Sequence, residues 1–238
     1  MTKGKLIGVG LGPGDPDLLT VRAVRLISVA NVIAYPALPD TESFARQIAA
    51  RHIPAGAHEI VIEIPMTKER GPAQAAYDLG AKRIAEALDL GEDVLVLCEG
   101  DPFFYGSFMY LHARLAEHYV VDVVPGITSV NAAATRIHFP LAARNEVFTV
   151  IPAPLDDDSV RSRIEASDTC AILKVGRHLG RIRALLSNLG LLDRAHYIER
   201  ATLDQEVSMT LADAPDPAPY FSMILVSKGR DPWLKTQS

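Results

Sequence analysis

Residues 8–16 read GVGLGPGDP and directly follow the apolar residues KLI. A glycine-rich turn between a strand and a helix lets backbone amides approach an anion, most often a phosphate. The phosphate-binding loop, however, ends in GK[ST], and the dinucleotide fingerprint has the spacing G-x-G-x-x-G, whereas Asp15 stands where a third glycine would follow Gly10 and Gly12. Because a carboxylate repels phosphate, this stretch predicts close contact with a ligand that is neutral or cationic on part of its surface.

Outward from this turn, strand-like apolar runs alternate with helix-like runs. The strand-like runs of the first 140 residues are KLIGVG, NVIAYP, EIVIEIP, EDVLVLCEG and VVDVVPG. This alternation predicts an α/β domain with buried parallel strands. The segment HFPLAARN has no periodicity and contains Pro140, which is typical of a linker. We therefore predict two α/β domains, residues 1–140 and 145–238, of which the second is richer in strands.

Three loops of the first domain could bind a ligand: GLGPGDP, EGDPFFYG and PGITS. Each follows a predicted strand, and in an open α/β sheet the ligand crevice lies beyond the carboxyl ends of the strands, so we expect the loops to share one rim. Each loop alone also has a purely structural explanation. Asp15 and Asp17 could cap a helix, Phe103 and Phe104 could pack into the core, and PGITS could start a helix. Three such loops at one edge favour a binding site.

Composition and charge exclude several classes of protein. The 24 Lys and Arg against 29 Asp and Glu give a net charge of −5, so no overall basic field exists for nucleic acid or an anionic membrane. No apolar run approaches the roughly 20 residues that span a bilayer, and no signal peptide precedes the first strand. Cys98 and Cys170 lie in apolar runs, as buried thiols of a reducing compartment do. The histidines show no metal-ligand spacing. We expect a soluble, cytoplasmic protein without a metal site.

The three loops also carry a family resemblance. GVGLGPGDPDLLTVRA, EGDPFFYG and VPGITS, in this order and spacing, resemble the tetrapyrrole methylase family, whose members transfer a methyl group from S-adenosyl-L-methionine. The resemblance covers essentially the whole chain. More narrowly, CEGDPFFYGSFMYLHARL and ILKVGRHL resemble the precorrin-2 C-20-methyltransferases of cobalamin biosynthesis. Other branches tend to carry a GGDP-type loop followed by small residues, and Glu99 departs from that form.

The resemblance implies that S-adenosyl-L-methionine lies in a cleft between the two α/β domains. This cofactor carries a sulfonium and an ammonium but no phosphate, which suits an acidic, glycine-rich turn. The cofactor-binding residues that the resemblance implies are Pro13, Gly100, Asp101, Phe104, Thr128, Ser129, Val175 and Ala201. Two positions depart from the family pattern. Lys174 stands where many relatives have an uncharged residue, which suggests a branch-specific role, and Ala201 replaces a common glycine by a residue nearly as small.

The implied substrate is precorrin-2, a reduced tetrapyrrole with eight carboxylate side chains. An acidic protein must concentrate cations locally to bind it, and we expect Arg177, Lys68 and Arg70 to do so, because Arg and Lys pair well with carboxylates. A solvated helix face is an equal alternative for Arg177. We expect Arg181 and Arg183 on such a solvated face.

Methyl transfer leaves a proton to be removed from the methylated carbon, so a base or proton relay would help. The catalytic candidates are Asp101 on the central loop, Lys174 at a strand end, and Tyr220 at the start of the last strand. A lysine within ILKV is unusual for a buried strand, although its ammonium could instead reach bulk water. Tyr220 could instead be a packing residue.

Three other functions stay open. The first is the same methylation on a cobalt-containing precursor, and the second is the earlier methylation of uroporphyrinogen III, against which the aromatic central loop argues. The third is a non-catalytic module that binds a nucleotide-like ligand. The resemblance also implies a homodimer.

Overall fold

The computed structural model describes residues 2–65 and 70–229, with the backbone alone at residue 70. The chain divides into two compact units, Met1–Ser129 and Val130–Ser238. The segment 138–145, expected to be a linker, contains no helix or strand and lies within the second unit.

The first unit is built on one parallel sheet. Its strands are β1 (Leu6–Gly10), β2 (Val32–Ala37), β3 (His58–Glu63), β4 (Val94–Cys98) and β5 (Val121–Val124). Its helices are α1 (Val21–Ile27), α2 (Phe44–Ala49), α3 (Arg70–Asp89) and α4 (Phe108–Leu115). The strand order is β3-β2-β4-β1-β5, and every neighbouring pair is parallel. The central strands are therefore covered on both faces, as their continuous apolar sequences predict.

Strand β4 shows how the two faces are filled. Val96 and Cys98 belong to one hydrophobic core together with Phe108 of α4. Leu97, which points to the other face, belongs to a second core that includes Val9 of β1. All five residues of β4 are buried, so the end of this strand is a fixed platform for the loop that follows it.

The second unit is a mixed α/β layer. Its strands are β6 (Phe148–Pro152), β7 (Thr169–Leu173), β8 (Ala195–Glu199), β9 (Val207–Thr210) and β10 (Ser222–Ser227), and its helices are α5 (Ser129–Arg136), α6 (Asp157–Ala166) and α7 (Leu179–Asn188). In the order β6-β7-β10-β8-β9, only β6 and β7 are parallel. The predicted fold class, two α/β domains, is confirmed. Among the described residues, no helix is both long and apolar enough to cross a membrane.

The strand order places the three glycine-rich or acidic loops at one edge. They follow β1, β4 and β5, which are adjacent in the order β4-β1-β5. Because these strands are parallel, their carboxyl ends meet at the same edge of the sheet. The chain also crosses from one side of β1 to the other here, which is the position where open α/β sheets bind ligands.

Candidate functional site

The first and second loops are joined through their backbones. The amide of Leu11 donates to the carbonyl of Cys98 at 2.9 Å. The amide of Gly100 donates to the carbonyl of Gly12 at 2.7 Å, and the amide of Gly12 returns a bond to the carbonyl of Gly100 at 3.2 Å. This reciprocal pair is an isolated antiparallel bridge beyond the ends of two parallel strands. It fixes the loop after β4 directly against the loop after β1.

Asp101 attaches the third loop to this pair. Its Oδ2 accepts a hydrogen bond from the amide of Gly126 at 3.1 Å, and its Oδ1 accepts one from the amide of Phe103 at 2.9 Å. Hydrogen bonds from backbone amides to a carboxylate are stronger than neutral ones. Asp101 therefore connects the second loop to the third and also shapes its own turn, so the side chain predicted to be catalytic is engaged in holding the loops.

The glycines explain how three backbones come so close together. A Cβ atom on Gly126 would lie 1.9 Å from the carbonyl oxygen of Gly100, and one on Gly10 would lie 2.5 Å from the amide nitrogen of Gly126. Gly10 and Gly126 are therefore required by contact between loops. Gly100 differs, because a Cβ there would meet nothing within 4 Å, although its φ of +65° favours glycine. Its backbone faces open space that a ligand can reach.

Aromatic side chains extend from the central loop. Phe103 is 49% exposed and contacts His112, with ring centroids 5.3 Å apart. Phe104 is half-buried and packs edge-on against Tyr105 at 5.1 Å. Tyr105 is 47% exposed and has a φ of +57°, a backbone conformation that costs energy in a residue other than glycine. Phe103 is therefore not a core residue, and the loop presents apolar rings beside the joined backbones.

Glu99 is a residue of this rim that sequence reasoning did not assign to the site. It lies between the end of β4 and Gly100, is half-buried, and burial raises the pKa of its carboxyl above the ordinary value. The thiol of the preceding Cys98 also has a raised pKa, mainly because it is buried. The one signal in the sequence was that Glu99 departs from the small residue common in other branches.

Three predicted residues of the second unit lie at one edge of its sheet. Lys174 follows the end of β7, Ala201 follows β8, and Tyr220 precedes the antiparallel β10. The register pairs Leu173 with Met223 and Glu199 with Ser222, which brings these three strand ends together. Lys174 is exposed with a φ of +59°, and Tyr220 is 63% exposed, so neither side chain is part of a core.

The segment around Ala201 is held by two acidic residues. Buried Glu199 accepts hydrogen bonds from the phenol of Tyr197 and from Arg200 Nη1. Burial is the main reason that the pKa of Tyr197 is raised, so the phenol stays a donor. Glu206 Oε2 accepts the amide of Thr202 at 2.6 Å and also pairs with Arg136 Nε at 2.9 Å. Ala201 therefore lies in a segment fixed on both sides.

The arginines of the GRHLGRIR segment divide into two kinds. Arg177 is exposed, and its Nε lies 3.4 Å from His178 Nε2. Their spacing predicted that Arg181 and Arg183 would lie on a solvated helix face, but both are half-buried. Arg181 donates to the carbonyls of residues 153 and 155, and Arg183 donates to those of residues 211 and 214. That expectation is wrong because both guanidinium groups stabilise irregular backbone.

The remaining predicted positions are placed as follows. Pro13 and Thr128 are half-buried in the first and third loops, and Ser129 is the first residue of α5. Val175 is buried directly after Lys174. Lys68 and the side chain of Arg70 lie outside the described residues. Within the described ranges, no group of three or more His, Cys, Asp or Glu side chains could hold a metal ion.

Asp15 has a local role as well. Its Oδ1 accepts a hydrogen bond from the amide of Asp17 at 2.8 Å and so caps the short 3-10 turn Pro16–Leu18. Asp17 is paired with Arg51 Nη2 at 2.6 Å. Asp15 is therefore a helix-capping residue, which is one of the explanations that the sequence left open. Its carboxylate also lies on the glycine-rich loop.

Comparison with curated proteins finds relatives over nearly the whole chain. The chain is 38% identical over 237 residues to the precorrin-2 C(20)-methyltransferase of Sinorhizobium sp, covering 96% of this chain and 97% of that protein. It is 39% identical to the cobalamin biosynthesis protein CobIJ of Mycobacterium tuberculosis, but the alignment covers 96% of this chain and only 47% of CobIJ. The chain thus spans about half the length of that relative. It is 30% identical to the cobalt-precorrin-2 C(20)-methyltransferase of Salmonella typhimurium, covering 94% and 97% of the two chains.

Solved structures show the same fold. The uroporphyrin-III C-methyl transferase from Thermus thermophilus, complexed with S-adenyl homocysteine, has a TM-score of 0.68 at 25% identity and covers 94% of this chain and 97% of its own. The family model for tetrapyrrole (corrin/porphyrin) methylases matches residues 5–215. With the family motifs on three joined loops, and a match over most of its length, the chain belongs to the tetrapyrrole (corrin/porphyrin) methylase family.

Proposed function

We propose that the chain is an S-adenosyl-L-methionine-dependent methyltransferase that methylates carbon 20 of precorrin-2 to give precorrin-3A in cobalamin biosynthesis. The observation that carries this proposal is the 38% identity to a precorrin-2 C(20)-methyltransferase over 97% of that protein. The two full-length relatives are named for different substrates, and the Salmonella typhimurium protein, named for cobalt-precorrin-2, is the less similar one at 30% identity. The cobalt-containing substrate is therefore the second candidate.

The loops of the first unit fit S-adenosyl-L-methionine. A related structure was solved with S-adenyl homocysteine. In this chain, the open space beside Gly100 lets a ligand approach the backbone, and the loops contain acidic groups suited to a sulfonium and an ammonium. Pro13, Gly100 and Phe104, with Thr128 and Ser129, are the proposed contacts, and Val175 and Ala201 are proposed to border the adenine. When bound, the cofactor supplies an electrophilic methyl group on sulfur.

The chain's own contribution is mainly to position the reactants. The backbone bridge between Gly12 and Gly100 and the bonds of Asp101 hold three loops rigidly, and rigid placement of two reactants in line supplies much of the acceleration of such a reaction. Asp101 therefore acts as a positioning residue. Exposed Lys174 and Tyr220 remain proposed catalytic residues for moving a proton or orienting the substrate, and exposed Arg177 is proposed to pair with a substrate carboxylate.

Location and assembly are proposals that rest on the family resemblance. We propose a cytoplasmic enzyme that works as a homodimer and binds neither nucleic acid nor membrane. The net charge of −5 and the two buried cysteines agree with this proposal.

The decisive experiment is incubation of the purified chain with S-adenosyl-L-methionine and either metal-free precorrin-2 or its cobalt form. We expect the metal-free product to gain the mass of one CH₂, with the new group on carbon 20 by ¹³C NMR when the methyl group is labelled. Methylation of the cobalt form alone would select the second candidate. No mass gain with either substrate, while S-adenosylhomocysteine still binds in a calorimeter, would favour a non-catalytic binding module.

Removing the Glu206 carboxylate should weaken cofactor binding. In Glu206→Ala, the amide of Thr202 and Arg136 lose their acceptor, so the segment that carries Ala201 loosens. One charge-assisted hydrogen bond contributes roughly 1.5–3 kcal/mol, and we expect the dissociation constant for S-adenosylhomocysteine, measured by calorimetry, to rise on the order of tenfold. Asp158→Ala is the matched control, because its side chain is 93% exposed. Equal affinities of the two variants would remove the Ala201 segment from the cofactor site.

A further inference from the structure

Glu99 is held at the rim by its neighbours. The carbonyl of Cys98 before it accepts from Leu11 at 2.9 Å, and the amide of Gly100 after it donates to Gly12 at 2.7 Å. Leu97 and Cys98 of β4 lie on opposite faces of the sheet, and Glu99 directly follows this buried strand. The Glu99 backbone is thus fixed on both sides at the carboxyl end of the central strand, and its side chain lies at the same end.

The carboxyl of Glu99 differs from that of Asp101 two residues later. Both oxygens of Asp101 accept backbone amides. Among the described residues, no hydrogen bond or ion pair engages the carboxyl of Glu99, although the residue is half-buried. A partly desolvated carboxyl without a local donor is costly, and such groups are concentrated at functional sites. Its oxygens are available to a ligand or to a proton.

We propose that Glu99 is the base that accepts the proton released from carbon 20 of the tetrapyrrole after methylation. This inference rests on the proposed function and identifies the residue that completes it. Carbon 20 forms a bond to the methyl carbon while the methyl–sulfur bond breaks, and that electron pair stays on sulfur. The C20–H bond then breaks, its electrons restore the ring double bond, and the proton goes to the Glu99 carboxylate. The step needs no oxidant or reductant.

The electrostatic surroundings suit this role. Burial raises the pKa of Glu99 toward the working pH, where a general base is most effective. Of the other titratable groups around it, the Cys98 thiol has a raised pKa, mainly because it is buried, and stays neutral. Asp101 on the same loop and Asp15 on the first loop are the acidic residues nearest in the loop cluster, and each accepts a backbone amide.

The test compares Glu99→Gln and Glu99→Asp with wild type in single-turnover formation of the deprotonated, C20-methylated product from pH 5 to 9. Glu117→Gln, at an exposed turn position two residues after α4, is the matched control. We expect Glu99→Gln to lower the rate roughly 100-fold or more and to remove the acidic limb of the wild-type profile, with Glu99→Asp intermediate. With substrate deuterated at carbon 20, the isotope effect should increase in Glu99→Gln, because C–H cleavage then limits the rate.

Two readouts do not depend on turnover. Calorimetry should give the same affinity for S-adenosylhomocysteine, within twofold, in wild type and Glu99→Gln. In a ¹³C NMR titration of labelled glutamate carboxyls, wild type should show one signal with a raised pKa. That signal should be missing in Glu99→Gln and present in the control variant. Two outcomes with an active wild type overturn this inference and leave the proposed function standing. In the first, Glu99→Gln has the rate and isotope effect of wild type; in the second, it loses affinity for S-adenosylhomocysteine in parallel with rate. A wild-type chain that methylates neither substrate overturns the proposed function and this inference with it.

Discussion

Gly126→Ala is expected to abolish methyl transfer almost completely. The new Cβ would lie 1.9 Å from the carbonyl oxygen of Gly100, and neither atom belongs to a flexible side chain. The third loop must therefore move away from the second, and the 3.1 Å bond from the amide of Gly126 to Asp101 is lost. Because displacement of a reactant by about 1 Å already costs roughly 100-fold in rate, we expect at least that loss, together with loss of S-adenosylhomocysteine binding.

Gly56→Ala is the control for this substitution. A Cβ on Gly56 would meet nothing within 4 Å, and neither Gly56 nor Gly126 has the left-handed backbone that favours glycine. Neither substitution is therefore strained by the backbone conformation, and the two differ in the space available to the new methyl group. The measurements are single-turnover rates, calorimetric affinities and melting temperatures of both variants. If Gly126→Ala binds and turns over like Gly56→Ala, the three loops are not held in the arrangement described.

Asp101→Ala is expected to lower cofactor affinity and turnover together. The substitution leaves the part-buried amide of Gly126 and the exposed amide of Phe103 without their acceptor. A buried donor left unsatisfied costs about 1–3 kcal/mol, whereas the exposed amide can bond to water. We expect losses of roughly 10- to 100-fold in both quantities, because the same displaced loops hold the cofactor and align the reactants. Asp101→Asn keeps one acceptor oxygen, so its losses of cofactor affinity and turnover should lie between those of wild type and Asp101→Ala.

Asp93→Ala is the matched control. Asp93 Oδ1 accepts the amide of Lys5 at 2.7 Å at the other end of the same sheet, so this variant loses a similar bond far from the loops. It should reduce the melting temperature without changing affinity for S-adenosylhomocysteine. A fall in turnover of more than 100-fold in Asp101→Ala, with affinity kept within twofold, would instead assign Asp101 to the chemical step.

The fold class could be predicted because its signals are local. Buried parallel strands read as continuous apolar runs, as VLVLC does in β4, and the glycine-rich or acidic loops directly follow such runs. The expectation that three loops share one rim needed only the rule for carboxyl ends of parallel strands. The order β3-β2-β4-β1-β5 was not predicted, because it depends on which strands pair across long stretches of chain.

The details of the site depend on contacts that no local pattern reveals. The glycines at positions 10 and 126 looked like places for a ligand, yet their closest neighbours are backbone atoms of loops distant in sequence. Arg181 and Arg183 have the spacing of a solvated helix face, but Arg181 donates to the carbonyls of residues 153 and 155, and Arg183 donates to those of residues 211 and 214. Glu99 carried a signal only as a departure from the family pattern. In each case the tertiary neighbour decides the role.

The bridge between Gly12 and Gly100 has a consequence for which side chains beside it can vary. Only main-chain atoms form the hydrogen bonds of this bridge, so most side-chain replacements nearby leave those hydrogen bonds intact. The exposed rings of Phe103 and Tyr105 can therefore be replaced without breaking the bonds that join the first loop to the second. The shape of this surface and the integrity of the backbone junction beneath it thus depend on different atoms.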